Sequence, residues 1–151
     1  MDHPHTKKVS ISAQNDHRRL ASRRVLSAAR TGETAGGGMA ALIEDYAALF
    51  TREEWDIYRR RIESSGNFTR EDLRWLFSIA SPFEPDNQNR ISLPPKLRQH
   101  TGLDQDIALV GSVRYVALFP SEEWARREAA IVRQSETGTS IADKFRGLDF
   151  L

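Results

Sequence analysis

The residues best placed to do chemistry are cations carried by turns. Asp86-Asn-Gln-Asn-Arg90 gathers three turn-forming side chains and ends on an arginine that opens an alternating stretch, Ile91-Ser-Leu93. Such a turn presents Arg90 toward phosphate oxygens from a rigid base, and Asp86 is positioned to brace the guanidinium through a bidentate pair. The same two side chains also fit a plain exposed salt bridge of about 0 to 1 kcal/mol, and the residues alone weigh both readings equally. Lys7 and Lys8, with Arg18 and Arg19 close behind, form a second cationic group. Exposed basic side chains are more often merely solvated.

Other constellations are weak or excluded. The 151 residues include no cysteine, which removes disulfides, thiolate nucleophiles and Cys-based metal centres. His3 and His5 are the closest histidine pair, and two such ligands do not make a metal site. Gly36-Gly-Gly38 runs into Met39-Ala-Ala41 rather than the lysine of a phosphate loop, and neither Ser92 nor Ser121 has a neighbouring histidine to activate it. Arg59-Arg-Arg61 and Arg126-Arg127 fall on predicted helices, where they are expected to form solvated or intersubunit ion-pair faces. No catalytic residue, cofactor, metal or small-molecule substrate is expected.

Lys and Arg number 22 against 21 Asp and Glu, so the formal charge of +1 argues against a uniformly basic coat. The charge is nevertheless uneven: residues 1–30 carry seven lysines and arginines against two aspartates, so any phosphate-facing surface is local. No apolar run reaches the length of a membrane span, and Met1 to Ser10 has no apolar stretch of a signal peptide. The expected location is the cytoplasm.

The elements that must position these cations emerge from a repeat. At an offset of 69, Tyr46 to Ile62 aligns with Tyr115 to Ile131 with eight identities in seventeen positions. Each copy reads as a strand, a tight turn and a helix start, with Thr51 and Glu54 fitting a capping box and Val113, Tyr115, Ala117 and Phe119 sharing one strand face. Trp55 and Trp124, in the first helical turns, are expected to anchor packing. Upstream, Val9-Ser-Ile-Ser12 matches Ile91-Ser-Leu-Pro94 at an offset of 82, and the difference is assigned to a flexible glycine-rich loop insertion, Thr31 to Gly38.

The repeats thus span 1–66 and 81–134, joined by a connecting helix in 67–80 and followed by a tail, 135–151. The connector has Thr69 as its cap and Leu73, Leu76, Phe77 and Ala80 on one side. Ser81-Pro-Phe-Glu-Pro85 cannot continue it and is expected to lead into a turn. Pro95 to Gly102 reads as a short helix stopped by its glycine, and Asp106 to Phe119 as a hairpin turning near Gly111-Ser112. In the tail, Ser135 to Ser140 reads as a linker, and Ile141, Phe145, Leu148 and Phe150 mark an amphipathic segment too short to be helical alone.

The run Asp86 to Leu103, followed by Ile107 to Phe119 and Glu123-Trp124, resembles the C-terminal half of the MraZ family, regulators of the bacterial division and cell-wall gene cluster built from two SpoVT/AbrB-like repeats. The Asp-x-x-x-Arg turn before an apolar strand is matched by Asp86 and Arg90, in register with Pro94, Leu97-Arg98, Gly102-Leu103 and Val110-Gly111. The first copy is degenerate, with Pro4 at the aspartate position, Lys8 at the arginine, Ser12 at the proline and Asn15 opposite Leu97. The resemblance implies an α+β fold of two swapped-hairpin, AbrB-like β-barrel repeats with flanking helices in one compact unit. It also implies a nucleoid-associated DNA-binding transcription regulator with Arg90, Asp86, Asn89, Lys7 and Lys8 at the DNA. Its partners would be double-stranded promoter repeats and further copies of itself in a ring-like homo-oligomer, where many weak loops sum into avidity. The alternative is a degenerate barrel kept as an oligomerisation and protein-interaction module.

Overall fold

A computed structural model describes residues 8–10, 38–84, 90–104, 106–146 and 148. Lys7, Asp86 and Asn89, like Thr31 to Gly37, lie outside the described residues. The chain divides into two compact units, 1–120 and 121–151.

The first unit is built on near-continuous apolar runs, a pattern that suits strands covered on both faces. Five of them form an antiparallel sheet in the order β4 (Ser81–Phe83), β2 (Gly38–Ile43), β3 (Tyr46–Thr51), β7 (Val116–Pro120) and β6 (Ile107–Gly111). Alternation along each strand divides the core. Ala40, Leu42, Ala47, Leu49, Leu109 and Leu118 enter the main cluster, while Met39, Ala41, Ala48 and Phe50 enter a second one. The second is aromatic: Phe50 stacks on Tyr58 at 4.9 Å, and Trp55 meets Phe77 edge-on at 6.0 Å. Trp55 is therefore the packing anchor expected of it, buried among rings.

A separate two-stranded ribbon pairs β1 (Lys8–Ser10) with β5 (Arg90–Ser92), and the Ile91 side of the ribbon belongs to the main core. The described strands are thus an open sheet plus a ribbon, which corrects the expected closed barrel. Closure would need β4 to pair with β6. Instead β4 is three residues long with the donorless Pro82 at its centre, and it stays on the edge.

Helices follow the strands as their caps dictate. In α1 (Arg52–Ser64) the Thr51 hydroxyl accepts from the Glu54 amide at 3.2 Å, and Trp55 and Ile62 face inward. In α2 (Arg70–Ser78) Thr69 and Asp72 complete a reciprocal capping box, and Leu73, Leu76 and Phe77 pack on the core as the connector spacing requires. Helix α3 (Pro95–Thr101) starts on proline and ends on Gly102 at φ 72°, a left-handed position that favours glycine.

Three further expectations change. Ser81 to Phe83 is an edge strand rather than the lead into a turn. Val113 is exposed in the β6–β7 turn and does not share the strand face with Tyr115, because the Ser112 amide bonds the Tyr115 carbonyl and delays the strand to Val116. Gly38 belongs to strand β2, not to a flexible loop. A Cβ there would lie 2.4 Å from the Phe83 ring and 2.9 Å from the Phe50 carbonyl oxygen, so this glycine permits close approach of β2 and β4.

The second unit is α4 (Ser121–Thr137) followed by α5 (Ile141–Arg146). Helix α4 runs through Ser135 to Thr137, which the composition had marked as linker; the break comes only at Gly138. The short α5 forms with local help: Ser140 and Asp143 cap it reciprocally, and the Ile141 amide donates to the Ser135 hydroxyl at 3.2 Å. The arginine clusters pair within their own helices. Glu123 accepts from Arg126 and Arg127, and Arg59 lies 3.2 Å from Glu63.

Two strand registers coincide with the sequence offsets. In β3–β7 Ala48 lies opposite Ala117, residues related by the offset of 69, and in β1–β5 Val9 lies opposite Ile91, related by the offset of 82. The hydroxyls of Tyr46 and Tyr115, again 69 apart, meet at 2.7 Å.

Candidate nucleic-acid interface

The ribbon places the cations. Lys8 lies opposite Ser92 and Ser10 opposite Arg90. Residues directly opposite in an antiparallel pair share a face, so positions 8, 10, 90 and 92 lie on one side and positions 9 and 91 on the other. Ile91 is fully buried, which turns the face of Arg90 and Ser92 away from the core. Positions 8 and 90 are diagonal neighbours on that face, about 7–8 Å apart by strand geometry.

Of the five residues proposed from sequence, the ribbon therefore brings together Lys8 and Arg90, which are 82 positions apart in the chain. Arg90 is partly buried and Ser92 is exposed. Asp86, Asn89 and Lys7, and with them the expected brace between Asp86 and Arg90, lie outside the described residues.

One further basic stretch follows Arg90 in the chain. Lys96 is exposed on α3, and from Arg90 to Thr101 the chain carries Arg90, Lys96 and Arg98 without a single carboxylate. A sliding count of charge would have found this window, whereas the search for turns did not. The groups with displaced titration lie elsewhere. Burial, then the neighbouring Tyr115 and Glu44, pushes the Tyr58 phenol up, and hydrogen bonds from Arg126 and Arg127 hold the Glu123 carboxyl below its ordinary range. Among the described residues no group of three or more His, Cys, Asp or Glu converges to hold a metal, and no helix is long and apolar enough to cross a membrane.

What this arrangement does is pair two strand segments that each carry a basic residue, and cations held on one scaffold can register a protein on a phosphate backbone. Comparison with known proteins identifies the family. The family model described as "MraZ protein, putative antitoxin-like" matches residues 76–145. A protein of Leifsonia xyli subsp. xyli named Transcriptional regulator MraZ is 32% identical over 95 residues, covering 58% of this chain and 66% of that protein. Namesakes from Heliobacterium modesticaldum (28% identical, 80% of this chain and 88% of the relative) and Enterobacter sp. (31%, 77% and 81%) extend the similarity over most of both lengths. With that coverage at that identity, the chain belongs to the MraZ family of transcriptional regulators.

Proposed function

We propose that the chain regulates transcription by binding double-stranded DNA through the outer face of the β1–β5 ribbon and the turns that flank it. Lys8 and Arg90 are the central contacts, Lys7, Asp86 and Asn89 belong to the flanking turns, and Lys96 adds charge beside them. The observation that carries this reading is the register of the ribbon, which joins Lys8 and Arg90 on the face opposite the buried Ile91.

The chain is read as two repeats, 1–66 and 81–134, with the connector 67–80 between them and the tail 135–151 after them. The facing of Ala48 with Ala117 and of Val9 with Ile91 supports that division. So few cations per chain give weak binding, so several copies in a ring-like homo-oligomer would engage successive short promoter repeats of the division and cell-wall gene cluster. Such a protein is a nucleoid-associated regulator rather than a catalyst.

Fluorescence anisotropy tests this with DNA from upstream of the protein's own operon, scrambled DNA as control, and Arg90→Ala alongside. The proposal expects preference for the upstream DNA and, because Arg90 is read as a phosphate contact, weaker binding of both DNAs by the variant. A folded, oligomeric protein without preference, indifferent to Arg90→Ala, would support the interaction module instead. Its motivation is the first-copy substitutions Pro4, Lys8 and Asn15.

A further inference from the structure

A cavity of about 560 Å³ is lined by residues of α1, α2 and the β2–β3 turn. This size lies within the range of about 300–1,000 Å³ typical of small-molecule sites. Its apolar surfaces come from Leu42, Ile62 and Leu76, which are buried, and from Phe68 and Trp75, which remain 42% and 45% exposed. Large aromatics left open at the edge of a concave site are unusual on a small unit and offer π faces to a ligand. The polar lining has one sign: Glu44 and Asp72 contribute carboxylates, and no lining residue is lysine, arginine or histidine.

Two features fix these carboxylates. Glu44 occupies the two-residue turn between β2 and β3 at φ 54°, and it is the one non-glycine with positive φ among the described residues. Asp72 is held by its capping bond from the Thr69 amide at 2.9 Å. The amino end of α2 carries a partial positive charge of about half a unit, which Glu71 and Asp72 in its first turn offset. Tyr58 completes one wall. Its hydroxyl donates to the Leu42 carbonyl at 2.5 Å and so stays committed to the scaffold rather than to a ligand.

We propose that this cavity binds a small organic monocation with an apolar body, its ammonium between Glu44 and Asp72 and its hydrocarbon against Phe68, Trp75 and Leu76. Carboxylates complement the charge, and the aromatic faces add cation–π attraction that a neutral ligand would not receive. The ribbon contributes nothing to it, so the site stands independently of DNA binding.

The test is a titration of the full-length protein with 4-phenylbutylammonium, 4-phenylbutanol and 4-phenylbutyrate, followed by calorimetry and by the Trp75 indole N–H resonance. The ammonium is expected to bind saturably and shift Trp75, the alcohol to bind about tenfold more weakly, and the carboxylate not to bind. Glu44→Gln and Trp75→Ala should each weaken the ammonium about three- to tenfold while the thermal transition confirms folding, and Arg90→Ala should leave it unchanged. Equal binding of ammonium and alcohol, or indifference to both cavity variants, would overturn the proposal. So would binding of a basic, apolar peptide where the ammonium fails to bind.

Discussion

Gly38→Ala is a demanding test of the packing that joins β2 to the edge strand β4. The added Cβ would sit 2.4 and 2.5 Å from two carbons of the Phe83 ring and 2.9 Å from the Phe50 carbonyl oxygen. Ordinary carbon contacts lie at about 3.5–4.0 Å, so the ring must retreat by more than 1 Å or the strands must part. Phe83 is only 4% exposed and has no free space to enter, and the Phe50 carbonyl belongs to the strand pairing of β2 with β3. Overpacking of this kind costs about 1–3 kcal/mol, and we expect the upper half of that range. At this chain length the midpoint of thermal unfolding should fall by about 4–10 °C. Urea denaturation monitored by circular dichroism gives the free energy. Phe83→Leu in the same chain removes the obstructing ring carbons, so the double variant should be less destabilised than the sum of the singles by about 1 kcal/mol or more. A cost of Gly38→Ala below about 0.5 kcal/mol, or strict additivity with Phe83→Leu, would refute the packing argument.

Three further outcomes follow from particular contacts. Tyr46→Phe and Tyr115→Phe should each cost about 0.5–1.5 kcal/mol, and the double variant less than their sum, because each hydroxyl is the other's partner at 2.7 Å; additive losses in urea titrations would deny the coupling. Thr69→Ala removes the hydroxyl that accepts from the Asp72 amide at 3.1 Å and should cost about 1 kcal/mol, measured by chemical denaturation. Glu123 should titrate below its ordinary 4.5, since Arg126 and then Arg127 bond its carboxylate. Its stabilising contribution is present above that ordinary value and fades as pH falls through the lower folded one, and Arg126→Ala should raise the midpoint seen by carbon NMR.

Much of the architecture was legible in residue order because its signals are local. The Thr69 cap and the Gly102 stop each depend on neighbours within a turn or two of chain. The misreadings were decided at a distance. Gly38 looks like loop because its reason, the Phe83 ring, arrives 45 residues later. Ser81-Pro-Phe83 looks like punctuation because only an edge position on β2 makes proline tolerable in a strand. Ser135 to Thr137 looks like linker until the Ser135 hydroxyl is seen to receive the Ile141 amide. The candidate interface was half legible. Turn chemistry pointed to Arg90 and composition to Lys8, but the ribbon that unites them is a pairing across 82 residues with no local trace.

The account stands or falls on whether Lys8 and Arg90 meet DNA as one surface. The direct measurement is the salt dependence of binding to upstream DNA for the full-length protein, Lys8→Ala, Arg90→Ala and the double variant. Each lost phosphate contact should lower the slope of log affinity against log salt by about 0.9, so the double variant should lose about 1.8 per engaged subunit while the circular dichroism spectrum stays unchanged. Unaltered slopes in all three folded variants would contradict the claim that the outer face of the ribbon is where this protein touches DNA.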